Sequence, residues 1–319
     1  MNLIIQIPCL NEQASIEEAV RSLPRSIQGV DTIKVIVIDD GSCDRSAEIA
    51  SAAGADEVIR LPRHLGLAGA FSAGVQAAMR HDADILVNTD ADLQYRPEHI
   101  PDLIGPILRN EADLVVGNRL SGFPAPFPPV KMALERLGST FVRMFSSVPV
   151  QDAASGFRAF NREALQAMFI HGRFSYTLET LMLAGIKRLR VVNVPIAINP
   201  PRRKSRLVKN VPGYIGRSAG AVFRAYLMYY PLRFFAGVGT ILLAVSLGLG
   251  IRYLALDALG QGRGHVQSLI LLSILAIMGF QSIVLGLVGE IVAANRRLLE
   301  EIRLNILNGS ERRSAAGLS

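Results

Sequence analysis

Two carboxylates two residues apart, directly after an apolar run, are the part of this chain best suited to chemistry. Asp90-Ala91-Asp92-Leu93-Gln94 follows Ile85–Asn88. At a strand end, carboxylates at i and i+2 can converge on a hard divalent ion, which takes one or two carboxylates together with phosphate oxygens and water. Gln94 offers a further oxygen. Such an ion neutralises a diphosphate leaving group. The same spacing also occurs in solvated turns, but the strand end and Gln94 favour the metal. A second cluster, Val37-Ile38-Asp39-Asp40-Gly41-Ser42, also closes an apolar run. Its carboxylates can accept hydrogen bonds from a ribose or a base, and Gly41 permits a sharp exit; the plainer alternative is a helix-capping turn. In Ile7-Pro8-Cys9-Leu10-Asn11-Glu12, Pro8 fixes the chain where it leaves a third run. Small residues in Gly66-Leu67-Ala68-Gly69-Ala70 would let a ligand reach the N-terminal donors of a helix. Neither a GKS/T nor a GxGxxG pattern accompanies them. The five histidines show no metal-ligand spacing, Ser155-Gly156 is no nucleophile elbow, and Cys9 and Cys43 read as ordinary small residues.

The elements that must position these clusters are short. Apolar runs at Leu3–Ile7, Lys34–Ile38, Ile85–Asn88 and Leu114–Val116 read as buried strands. Helix-like stretches at 15–23, 45–53, 67–80 and 100–109 lie between them. This alternation predicts an α/β domain with a mostly parallel sheet and helices on both faces. Ligands on such sheets sit beyond the carboxyl ends of the strands, where every polar cluster above falls. Further on, 131–147, 161–170 and 177–186 read as helices, 190–198 as a strand, and the proline-rich 121–131 as a loop beside the site. The first ten residues lack a basic leader region and are interrupted by Asn11-Glu12, so they read as a strand rather than a signal peptide.

Composition separates two parts. The 319 residues are 50% hydrophobic and 19% charged, with a net charge of +7 and two cysteines. That excludes intrinsic disorder and a disulfide scaffold. Phe234–Ile251 is 18 residues without a charge and Val266–Gly289 is 24, each long enough to cross a bilayer. Eight Arg or Lys lie in 202–233, two in the connecting loop 252–265 and five after the second span. The positive-inside rule then predicts a multi-pass protein of the cytoplasmic membrane, with both termini and the 1–206 domain in the cytoplasm. Segment 207–233 reads as interfacial helices, 234–294 as two transmembrane helices and 295–319 as a cytoplasmic tail, polar and frayed after Asn308. The positive charge therefore points to lipid headgroups and away from nucleic acid.

Taken in order, the motifs resemble glycosyltransferase family 2 with the GT-A fold, in the branch of dolichyl-phosphate mannose synthase and bacterial polyprenyl-phosphate glycosyltransferases. IPCLNE (7–12), VIDDGSCD (37–44), LGLAGAFSAG (65–74), NTDADLQY (88–95), GNR (117–119), DAASGFRAF (152–160), RFSYTLET (173–180) and RRKSR (202–206) carry the resemblance. It implies that Pro8, Leu10, Asn11, Glu12, Asp39, Asp40, Ser42, Gly66, Asp90, Ala91 and Asp92 surround a UDP- or GDP-sugar. Asp90, Asp92 and Gln94 would hold Mg2+ or Mn2+, and Asp152 would stand at the acceptor side where the family keeps its base. Arg119, Arg202, Ser205 and Arg206 would bind phosphate oxygens. His64 and Cys43 stand where Asn and Thr are common, and RRKSR lacks a glycine found in many relatives.

The expected reaction moves a hexose onto a polyprenyl phosphate with inversion, in cell-envelope glycan synthesis, by an enzyme with room for homo-oligomerisation. A phosphate monoester is mostly a dianion at pH 7, so Asp152 is either a base or a group that orients an arginine. Three alternatives remain at this point: transfer to a neutral membrane lipid, which needs a true base; a short polysaccharide synthase, disfavoured without a QxxRW-like segment; and a silent nucleotide-sugar-binding adaptor.

Overall fold

The computed structural model describes residues 1–121, 129–168, 176–200, 220, 223–224, 226–259 and 266–316. It divides into two compact units, Met1–Val222 and Phe223–Ser319.

The first unit is built on a seven-stranded sheet. In chain order its elements are β1 (Asn2–Cys9), α1 (Ile16–Arg21), β2 (Thr32–Asp39), α2 (Ser46–Ala52), β3 (Glu57–Arg60), α3 (Leu67–Arg80), β4 (Ile85–Asn88), α4 (Ile100–Leu108), β5 (Leu114–Asn118), α5 (Pro129–Ser146), β6 (Arg158–Asn161), α6 (Arg162–Ala167), α7 (Tyr176–Ile186) and β7 (Val191–Pro195). The strands lie in the order β3-β2-β1-β4-β6-β5-β7. All neighbouring pairs are parallel except those of β6, which runs antiparallel to β4 and to β5. The central strands are buried on both faces, which is why β1, β4 and β5 read as unbroken apolar runs rather than alternating ones.

The five anticipated strands are all present, with β1, β2 and β5 longer than their apolar runs and β7 shorter than the expected 190–198. Two strands were not anticipated. β3 and β6 are each four residues long, and β6 places Arg158 at its buried start, so neither gives a periodic signal. The reversed direction of β6 has a structural consequence. An antiparallel strand begins where its parallel neighbours end, and Arg158, first in β6, pairs with Asn88, last in β4. The chain entering β6 therefore arrives at the same sheet edge as the carboxyl ends of β1, β2, β4 and β5.

The second unit contains α8 (Pro231–Ala258) and α9 (Val266–Ala316). Their apolar stretches have mean hydropathies of 2.2 and 2.3, with only 11% and 17% of the windows buried, so they are not core helices. They pack antiparallel through small residues, as membrane helices do. Ser246 Oγ donates to the Leu272 carbonyl at 2.9 Å and Ser282 Oγ to that of Phe235 at 2.8 Å. A Cβ on Gly239 would lie 2.7 Å from the Gly279 carbonyl oxygen. Both helices overrun the charge-free spans, and α9 continues to Ala316 where the sequence suggests a frayed tail. The proline-rich 122–128, the basic 201–219 and the hairpin loop 260–265 lie outside the described residues. Of the expected interfacial segment before α8, residues 223–224 and 226–229 are helical.

Helix α5 rests on α7 at Gly185, where a Cβ would meet the Ser146 carbonyl oxygen at 1.9 Å. Backbone cannot rotate away as a side chain can, so overlap outweighs the roughly 1 kcal/mol that alanine gains over glycine in a helix. Gly185→Ala should lose about 1–3 kcal/mol, read as a fall of several degrees in the thermal midpoint of the full chain. An unchanged midpoint would mean that α5 packs elsewhere.

Candidate active site

The first side of the site is a pair of loops knitted together after β1 and β2. Asn11, in a left-handed conformation with φ 53°, donates from its backbone to Ser42 Oγ at 2.9 Å, and its Oδ1 accepts from the Cys43 amide at 2.8 Å. The Glu12 amide donates to Ser46 Oγ at 2.8 Å. Asp39, buried at the end of β2, accepts from the Ser42 amide at 3.0 Å. Asp40 is also buried. Its carboxylate accepts from the Leu65 amide at 2.7 Å and the Gly66 amide at 2.9 Å, and pairs with His64 Nδ1 at 2.8 Å. Asp40 therefore anchors the turn that opens α3. Gly41 is required beneath it: φ is +78°, and a Cβ would lie 3.0 Å from the His64 backbone nitrogen.

Asp90 and Asp92 follow β4 and differ in surroundings. Asp92 Oδ1 accepts from the Gln94 amide at 3.0 Å, with Leu93 forced to a positive φ of 62° between them. Asp90 has no such donor among the described residues. Burial pushes its carboxyl up to about 7; the Asp92 charge adds to this, Arg119 opposes it and Glu12 adds again. A buried carboxylate without such a donor, held beside the charges of Asp92 and Glu12, is a site that a divalent cation would relieve. The donor set therefore fits Mg2+ or Mn2+, which favour few carboxylates completed by substrate oxygens and water. No group of three or more His, Cys, Asp or Glu forms a metal cage among the described residues.

Beneath Asp90 runs a buried polar network that the sequence did not reveal. Asn88 accepts from Gln6 Nε2 at 2.7 Å and donates to the Gly156 carbonyl and to Tyr176 Oη, both at 2.9 Å. Tyr95 Oη accepts from the Gly156 amide at 2.9 Å, and burial pushes its hydroxyl up to about 12, so it stays neutral. The Tyr176 ring stacks on Phe71 at 4.3 Å and Tyr95 on Phe157 at 5.1 Å. A Cβ on Gly156 would come 2.6 Å from Tyr176 Oη. The turn before β6 thus lies directly against the Asp90 turn.

That turn presents Asp152, fully buried. Arg119, just after β5, donates to it from Nε at 2.7 Å, from Nη2 at 2.8 Å and from its backbone amide at 3.1 Å. Burial alone would lower the pKa of the guanidinium, but the Tyr95 and Asp152 groups outweigh burial here and raise it, so Arg119 remains cationic. A second arginine, Arg158, is wholly buried behind the same turn. It donates to the carbonyls of Ser155 at 2.8 Å, Ala153 at 2.9 Å and Thr177 at 2.7 Å, and to Thr180 Oγ1. Desolvation lowers it to about 10, still charged at neutral pH. On the far side, Asn199 clamps the Asp90–Gln94 turn: Nδ2 donates to the Leu93 carbonyl at 2.9 Å, Oδ1 accepts from Arg96 Nε at 3.0 Å, and the amide donates to the Gln94 carbonyl at 2.9 Å.

The structure thus brings Pro8, Leu10, Asn11, Glu12, Asp39, Asp40, Ser42, Gly66, Asp90, Ala91, Asp92, Gln94, Arg119 and Asp152 to one sheet edge. Arg202, Ser205 and Arg206 lie outside the described residues. Asn88, Tyr95, Arg158, Tyr176 and Asn199 were missed. The first four sit inside recognisable motifs, but only the contacts reveal their work; Asn199 carries no sequence signal.

Known proteins share this frame. The model of the family described as "Glycosyl transferase family 2" matches residues 4–169. A low-salt glycan biosynthesis hexosyltransferase of Haloferax volcanii is 28% identical over 68% of the chain, which spans 56% of that protein. Undecaprenyl-phosphate mannosyltransferase of Micrococcus luteus is 30% identical over 61% of the chain and 83% of its own length. Among solved structures, Mycobacterium tuberculosis glucosyl-3-phosphoglycerate synthase in complex with Mn2+, uridine diphosphate and phosphoglyceric acid superposes with a TM-score of 0.55 at 25% identity, covering 71% of this chain and 77% of that one.

The two thiols test the loop geometry. Burial pushes Cys9 up to about 12, opposed by a Ser46 hydrogen bond and aided by the Asp39 and Glu12 charges, while Cys43 is exposed. Since only a thiolate alkylates, the native chain at pH 8 should take one equivalent of iodoacetamide, at Cys43, and a second only after denaturation. Mass spectrometry checks this, and rapid native labelling of Cys9 would contradict the packed loops.

Proposed function

The chain belongs to glycosyl transferase family 2, and from that premise we propose that it transfers a hexose from a nucleoside-diphosphate sugar to a polyprenyl phosphate at a membrane surface, with inversion. The loops after β1 and β2 would take the nucleoside. Asp90 and Asp92, with Gln94, would hold Mg2+ or Mn2+, which when bound stabilises negative charge on the departing diphosphate. Arg119, joined by Arg202, Ser205 and Arg206, would hold the acceptor phosphate. One acceptor phosphate oxygen forms the new bond to the anomeric carbon as the bond to the diphosphate oxygen breaks. The hairpin of α8 and α9 would anchor the chain in the cytoplasmic membrane, with 1–206 as the catalytic domain in the cytoplasm.

The observation that carries this reading is the Asp152–Arg119 pair. Both carboxylate oxygens of Asp152 are spent on Arg119, and the residue has no exposed surface. That suits a positioning residue better than a base. A sugar or lipid hydroxyl must lose a proton as it attacks, and general base help is worth about 10²–10⁴-fold. A phosphate dianion has no such proton to lose. The pair therefore favours a phosphate acceptor over a neutral lipid. A guanidinium held in a fixed direction donates well to phosphate.

Membranes containing the full chain, supplied with undecaprenyl phosphate, Mn2+ or Mg2+ and labelled UDP- or GDP-sugars, should form an acid-labile lipid-linked sugar. Diacylglycerol in place of the lipid phosphate should give none; the reverse pattern would favour the neutral-lipid reading. Nucleoside diphosphate should slow alkylation of Cys43. Asp92→Ala should abolish metal-dependent transfer, and full activity would remove the metal assignment. Asp152→Asn should raise the acceptor KM more than it lowers kcat. A kcat loss of about 10²–10⁴-fold at unchanged KM would instead identify Asp152 as a base.

A further inference from the structure

Helix α5 carries an apolar stripe that the catalytic reading leaves unused. Leu137, Phe141 and Met144 are 55%, 48% and 67% exposed. At 100° per residue they fall within about 60° of arc, and the Phe141 ring lies beside that of Phe145, centroids 6.5 Å apart. The opposite face is buried in the first unit: Ser139, Val142 and Ser146 are all 3% exposed or less. The helix therefore already has its core contact, and the stripe is a second apolar face, uncovered among the described residues.

Charge indicates what covers it. Exposed Arg136 and Arg143 lie on one flank of the stripe, while Lys131 and Glu135, the sole carboxylate of the helix, interact with the Arg119–Asp152 pair on the inner side. An apolar stripe edged with cations matches a bilayer surface, where side chains enter the acyl boundary and cations meet anionic headgroups. The same chain carries two helices of bilayer length, so a bilayer is its expected surroundings. The inner face of α5 also reaches the acceptor side, for Ser139 Oγ accepts from the Ala153 amide at 3.0 Å, one residue from Asp152.

We propose that α5 is a membrane-contacting helix of the catalytic unit, inserting Leu137, Phe141 and Met144 into an anionic lipid surface and so holding the Asp152 turn at the level of lipid phosphates. The second half of this statement rests on the lipid-phosphate reading above; the first does not.

The chain contains no tryptophan, so Phe141→Trp places a single reporter in the stripe. Full-length protein is reconstituted into phosphatidylcholine–phosphatidylglycerol vesicles whose phosphatidylcholine carries bromine near the top of one acyl chain. Phe141→Trp should be quenched by the brominated lipid, while Glu17→Trp, on exposed α1, should not. Replacing phosphatidylglycerol by phosphatidylcholine should weaken the quenching. Equal quenching of the two reporters overturns the proposal. So does an unquenched, blue-shifted Phe141→Trp that crosslinks to its neighbour, which would identify a second copy of the chain as the cover. The combined Leu137→Glu, Phe141→Glu and Met144→Glu variant should lose transfer to undecaprenyl phosphate in vesicles several-fold and keep transfer to a short, soluble prenyl phosphate. If the unaltered chain used neither acceptor, the function proposed above would fail while quenching still decided the membrane contact.

Discussion

The sheet edge that gathers the candidate site depends on one buried ion pair. Taking Asp152 and Arg119 out of water is costly, and their attraction compensates only when geometry is good and the remaining donors and acceptors are satisfied. Here Arg119 grips both oxygens and adds its backbone amide. Removing either partner would leave an uncompensated buried charge, which typically costs about 3–5 kcal/mol. The pair is therefore also a latch: the start of the segment after β5 cannot leave the turn before β6 without exposing a lone ion to a dry interior.

A latch works only if the turn it closes on is itself held, and Arg158 supplies that. Its guanidinium meets carbonyl oxygens on both sides, those of Ala153 and Ser155 in the turn and that of Thr177 in α7. Backbone carbonyls carry partial charge only, so this cation is stabilised by dipoles and loses some of its basicity to burial. Asn88 completes the arrangement from the other side by binding the Gly156 carbonyl. Three side chains from β4 and β6 and the segment after β5 thus fix one five-residue turn. The reversed strand β6 is what makes this geometry available, since it delivers Asp152–Gly156 to the edge where the parallel strands end.

The sequence and the structure agree where local signals are strong. The apolar runs that became β1, β2, β4 and β5 were legible because strands buried on both faces leave few other readings for short β-branched segments. Asp39, Asp40, Asp90 and Asp92 were legible as strand-end carboxylates. Their division of labour was not: Asp40 spends its oxygens on the 64–66 turn, a pairing across some two dozen residues with no local trace. β6 escaped because four residues beginning with a buried arginine show neither alternation nor an apolar run. Arg158, Tyr176 and Asn199 escaped because their value lies in partners that only the folded chain brings near. The stripe on α5 was hidden in a different way: seen alone, a helix with two apolar faces looks like an ordinary core helix, and only burial of one face shows that the other is unspent.

The two sides of the site carry opposite charge, and this asymmetry bears on the chemistry proposed. Glu12, Asp90 and Asp92 gather carboxylates where the donor diphosphate would lie, an arrangement that repels the ligand unless a divalent cation stands between them. Arg119, which would face the acceptor, has its charge offset by Asp152 and more weakly by Glu135. Full neutralisation there would weaken the hold on a phosphate; an unpaired arginine would bind it too firmly in the ground state, which lowers KM without helping turnover. A paired, rigidly oriented guanidinium would sit between these limits. It would grip a dianion in a fixed direction, and as the acceptor oxygen gave up negative charge to the new glycosidic bond its attraction would fall, favouring release of the product as a monoanionic diester over retention of it.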